Sequence, residues 1–123
     1  MLEPAIALDF GKVTIIENIL IAELNEGILF DVDNNRKLLN LGNKIFKGMP
    51  YGYISNRVNS YAVNPMIYLD SSCTKNLKAI AVVSSNKVCQ QNTLLEKQFY
   101  NEENSFEVFD TLEAAIHWIK SKI

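Results

Sequence analysis

The run Ser55-Asn56-Arg57-Val58-Asn59-Ser60-Tyr61-Ala62-Val63-Asn64 gathers side-chain donors and acceptors into one short segment. Arg57 is its one charged group, and a guanidinium holds a carboxylate or phosphate through two parallel N–H bonds. Ser55, Asn56, Asn59, Ser60, Tyr61 and Asn64 add neutral hydroxyl and amide groups, which makes the segment a candidate partner- or ligand-binding surface. Bond-making chemistry is harder to assemble. Ser55 or Ser60 would need an activating base, and the single histidine, His117, falls with Glu113, Lys120 and Ser121 on the polar face of a C-terminal helix. No catalytic residue is assigned, so the expected activity is binding. The structural reading stands beside it, because Asn and Ser also serve turns and caps.

Other constellations fail on spacing. Cys73 and Cys89 form no CxxC or CxxH pair and read as two free thiols. The five glycines fit neither GxGxxG nor a phosphate loop. Asp31, Asp33 and Asn35 begin like a calcium loop, but Arg36 occupies the glycine position and Gly42 that of the bidentate Glu, so Asp31 reads as a helix cap. No metal and no cofactor is expected.

With 12 Lys and Arg against 14 Asp and Glu in 123 residues, the net charge of -2 supplies no field that favours nucleic acid. The apolar runs are too short to span a bilayer and no signal-peptide core is visible, so a cytoplasmic protein is expected. No repeat or linker divides the chain. A single domain over residues 1–123 is expected, its first ten residues a loose arm or an edge strand.

The elements that position the polar segment follow from periodicity. Val13 to Ile16 and Ile19 to Leu24 read as a hairpin turning at Glu17-Asn18, with Asn18 suited to the left-handed conformation. Asp31 caps a helix over about Val32 to Lys47, stopped by Gly48 and Pro50. Tyr51 to Asn56 is a strand. Asn64-Pro65 starts a short helix through Leu69, and Ala79 to Val83 is a strand covered on both faces and expected at the sheet centre. Ser84 or Ser85 caps a helix burying Val88, Leu95 and Phe99. Phe106 to Phe109 is the last strand, and Asp110 with Glu113 caps a helix burying Leu112, Ala115, Ile116 and Ile119. Trp118 lies beside that stripe as a core-edge aromatic. The order is ββαβαβαβα, an α/β fold with a mixed sheet, an N-terminal hairpin and helices packed on the sheet.

The fragments Ala22-Glu23-Leu24-Asn25-Glu26-Gly27, Tyr51-Gly52-Tyr53-Ile54-Ser55-Asn56-Arg57, Leu77-Lys78-Ala79-Ile80-Ala81-Val82-Val83 and Leu112-Glu113-Ala114-Ala115-Ile116-His117-Trp118-Ile119 resemble small bacterial STAS-like proteins. That resemblance implies the SpoIIAA-like fold of anti-sigma-factor antagonists, shared with CRAL-TRIO lipid-transfer domains. It implies a regulatory module that binds an unidentified protein. The antagonists carry a phosphorylatable serine after this strand, within an Asp-Ser-Ser-Gly-like motif. Here Asn59-Ser60-Tyr61 lacks the acid and the glycine, which leaves Ser60 as the nearest counterpart. The CRAL-TRIO kinship, with Tyr53, Tyr61 and Tyr68, points alternatively to a small-molecule or lipid carrier. A homodimer through an open sheet edge, at the hairpin or the Phe106 strand, is a further expectation.

Overall fold

The hairpin at Glu17-Asn18 is the seed of the sheet. Strands β2 (Gly11–Ile16) and β3 (Ile19–Leu24) pair antiparallel with Ile16 opposite Ile19. The positive φ falls on Glu17, at 51°, and not on Asn18. Asn18 instead donates through Nδ2 to the Pro50 carbonyl and accepts from the Gly52 N–H, tying the turn to the next parallel strand. The computed structural model describes residues 5–100 and 105–123. Strand β1 (Ile6–Leu8) adds antiparallel to β2, which realises the edge-strand alternative for the N-terminus. It also covers the hairpin edge expected to be open. Residues 1–4 of the expected arm lie outside the described residues.

After β4 (Leu29–Phe30), helix α1 (Val32–Phe46) begins at Asp31, whose carboxylate accepts from the Val32 N–H while Asn34 accepts from the Asp31 N–H. Strands β5 (Tyr51–Asn56), β7 (Leu77–Val83) and β8 (Phe106–Phe109) then extend the sheet in parallel, giving the order β1-β2-β3-β5-β7-β8. The fold is therefore mixed α/β with four helices among the described residues. β7 lies next to the β8 edge, so β3 and β5, not β7, occupy the centre. β6 (Ala62–Val63) pairs with β4 in a separate two-stranded sheet.

Strand alternation sends side chains to two cores. Leu20, Ala22, Ile80, Val82 and Phe106 pack toward α1 and α2 (Ile67–Ser72), while Ile19, Ile21, Ile54, Ala79 and Ala81 pack toward α4 (Leu112–Lys120). β7 is thus buried on both faces, as its apolar run requires. Ala115 and Ile119 of α4 are fully buried, Leu112 and Ile116 partly so, and Trp118 closes the core edge against Phe109. α4 is capped by Thr111, whose hydroxyl accepts from the Ala114 N–H, in place of the expected Asp110–Glu113 pair. Asp110 accepts from Gln90 instead.

Small residues let α4 approach closely. A Cβ on Gly52 would lie 2.3 Å from Cγ2 of the fully buried Ile119. Gly52→Ala is expected to destabilise the domain by about 1–3 kcal/mol through overpacking. Thermal unfolding followed by circular dichroism checks this, and an unchanged midpoint would contradict the close approach.

Candidate functional site

Arg57 leaves the end of β5 and turns inward. Its side chain is only 8% exposed, and Nη1 and Nη2 each donate at 2.9 Å to the carboxylate of Glu96, itself 11% exposed. Nη1 also donates to Thr93 Oγ1 and Nε to Ser55 Oγ, while the Tyr61 ring lies beside the guanidinium. Tyr68 donates to Glu96 at 2.6 Å, and Ser55 and Tyr61 share a hydroxyl–hydroxyl hydrogen bond. The fork expected to hold a ligand's carboxylate or phosphate is therefore occupied by a carboxylate of the chain itself. Burial acts to lower the Arg57 pKa, but hydrogen bonding and charge from Glu96, with the neighbouring phenols, outweigh it and hold it well above the ordinary value.

The rest of the segment divides by role. Asn56 reaches Glu23, Asn59 donates to the Leu24 carbonyl, and Asn64 bridges α1 and α2 by donating to Asp31 and accepting from the Met66 N–H. The Asn64 amide, with the Val32 N–H, holds the Asp31 carboxyl below the usual range. α2 thus starts at Ile67, beyond Pro65, and runs to Ser72. Ser60 is exposed, its N–H bonded to the Glu26 carboxylate, so a phosphate there would stand beside a like charge. Ser55, Arg57 and Tyr61 form one cluster; Asn59, Ser60 and Tyr61 also line a groove; Asn56 and Asn64 serve local structure. The aromatics read as accessible are mostly inside. Tyr68 is buried and Tyr53 has a buried hydroxyl without a hydrogen-bond partner, leaving Tyr61 alone of the three on the groove.

The groove encloses about 590 Å³ between residues 57–65 and helix α3 (Lys87–Lys97), beyond the carboxyl ends of β5 and β7. α3 is capped by Asn86, which accepts from the Cys89 N–H, while Ser84 accepts from the Asn86 N–H one step earlier. The face this helix seats on the body is polar. Thr93 is its one buried residue, and its ties are Gln90 to the Ser84 carbonyl and Asp110, Glu96 to Arg57 and Tyr68, and Lys97 to Glu107. Val88, Leu95 and Phe99, expected in the core, stand 65%, 62% and 40% exposed and line the groove with Val58, 62% exposed. The reason is rotational: the buried Glu96–Arg57 bond turns the helix so that its Thr93–Glu96 side faces inward. Sequence reasoning missed Glu96, Thr93 and the outward apolar line because no local pattern joins positions as far apart as Arg57 and Glu96.

Four phenols near these clusters are held neutral. Burial, then the neighbouring Tyr100 phenol, pushes Tyr51 up to about 12, and burial raises Tyr53, Tyr61 and Tyr68 as well. A phenol ionising later in the folded than the unfolded chain contributes stability that is complete below pH ~10 and lost as pH rises toward 12. Absorbance at the tyrosinate band should therefore rise together with loss of circular dichroism in that window. Complete tyrosine ionisation near pH ~10 with the fold intact would contradict this burial.

Among the described residues no three His, Cys, Asp or Glu converge as metal ligands, and no helix is long and apolar enough to cross a membrane. The site and sheet define a mixed α/β protein with a surface groove. Comparison with protein-family models, with curated proteins and with solved structures finds no match.

Proposed function

We propose that the chain is a non-catalytic interaction module of STAS-like type that receives a protein partner in the groove between residues 57–65 and α3. The observation that carries this reading is the exposed apolar rim of Val58, Val88, Leu95 and Phe99 around a groove of about 590 Å³ whose two charges, Arg57 and Glu96, are bonded to each other. Contiguous exposed apolar surface beside polar loops marks an interaction site. The serine hydroxyl nearest the ion pair, that of Ser55, is bonded to Tyr61 and Arg57, and His117 is exposed on α4, across the sheet from α1 and α2. A cytoplasmic setting belongs to the proposal, as the unpaired Cys73 and Cys89 suit a reducing compartment. A photo-crosslinking residue placed at Val88 should trap a defined protein in cells of origin, whereas the same residue at the exposed Lys78 should not. Identical products from both positions would defeat the reading.

The groove volume lies within the range of small-molecule sites, and Tyr61 with Phe99 gives it aromatic walls, which favours a carrier of small molecules or lipid as the second reading. Native mass spectrometry of protein from the source cells should then show bound mass.

A further inference from the structure

We propose that the partner received on this face is a second copy of the chain, with α3 of each copy lying in the other's groove. The inference rests on the docking reading above and names its occupant. A two-fold contact requires one surface to carry both the projection and the recess that fits it. Here α3 is the projection and the groove beside it is the recess.

The polar seating of α3 leaves its apolar line unused by its own fold. Val88, Asn92 and Leu95 line the groove at spacings that keep them on one face of α3, and Phe99 lines it from the turn that follows the helix. An antiparallel pairing about an axis between Asn92 and Leu95 sets Val88 against the partner's Phe99, small against large. Lys87, Gln91 and Gln98 are exposed and stay at the margins.

Charge points the same way. A two-fold surface meets itself, so a patch of one sign repels its own copy. The residues lining this groove carry no charge other than Arg57 and Glu96, and these neutralise one another inside the fold. The apolar exposure is also concentrated. Val58, Val88, Leu95 and Phe99, four of the ten large hydrophobics exposed on the described surface, all line this one groove. Scattered single residues would need no partner, but a cluster around a recess does.

Sedimentation velocity on the full chain, from low micromolar to several hundred micromolar, tests the inference. The expected result is a reversible monomer–dimer equilibrium that Leu95→Asp and Val88→Asp each weaken by at least about 30-fold, a hot-spot-sized loss. Both positions are exposed, and unchanged circular dichroism confirms that the variants fold. A wild-type chain that stays monomeric throughout overturns the inference, as does a dimer that both variants retain, which would place association at the β8 edge. Crosslinking from Val88 separates the two levels. A heterologous product with a monomeric chain removes the second copy and keeps the docking groove, whereas no product from a monomeric chain removes both.

Discussion

Arg57→Ala is expected to lower the stability of the domain by about 3–5 kcal/mol, the cost of stripping one partner from a buried ion pair. The substitution leaves the Glu96 carboxylate, 11% exposed, with Tyr68 as its remaining hydrogen-bond donor, and leaves Ser55 and Thr93 without their guanidinium contacts. For a domain of this size the melting temperature should fall by ~10 °C or more. The paired replacement Arg57→Met with Glu96→Met should recover most of that loss, because a buried ion pair exchanged for apolar side chains is often close to neutral. Differential scanning calorimetry of the three variants decides it. A single variant melting within a degree or two of wild type would mean that the pair is not buried as described.

Leu95→Asp should act in the opposite sense. Leu95 is 62% exposed, so the substitution is expected to change stability by less than ~0.5 kcal/mol. It should nevertheless weaken docking on the groove by at least about 30-fold, since it sets an unpaired carboxylate in the middle of an uncharged apolar rim. The contrast matters because the two residues lie on the same groove. Arg57 holds the wall in place from inside, and Leu95 presents the wall to a partner. Loss of binding in Arg57→Ala would therefore report unfolding or release of α3, whereas loss in Leu95→Asp reports the surface itself.

The elements of the fold were readable where local chemistry fixes them. The β-branched and aliphatic runs of Val13 to Ile16 and Ile19 to Leu24, the Asp31 cap, the Gly48-Pro50 stop and the doubly buried Ala79 to Val83 run each depend on neighbours in sequence. The two-residue strands β4 and β6 carry no periodicity and exist because residues 28–30 and 62–64 meet across the chain. Cap positions slipped by one or two residues, from Ser84 or Ser85 to Asn86 and from Asp110 to Thr111, because several adjacent side chains can accept the same N–H.

The site was legible in part. The polar run after β5 reads from the sequence as a candidate binding surface, and its one cation as a holder of a ligand's carboxylate or phosphate. What reverses it is Glu96, a residue whose role depends on tertiary placement. The same bond explains the misjudged face of α3: an amphipathic helix was expected to bury Val88 and Leu95, and a buried carboxylate on the adjoining face turns them to solvent. Local periodicity identifies that a helix has an apolar side, and long-range electrostatics here selects which side the core receives.

The most direct measurement is quantitative capture from the source cells with tagged wild-type chain and tagged Leu95→Asp, matched for folded protein by circular dichroism. A docking groove predicts a protein, including untagged copies of the chain itself, that is enriched with wild type and depleted at least about 30-fold with the variant. Equal recovery of the same proteins by both chains would contradict the assignment of this groove as the interaction surface.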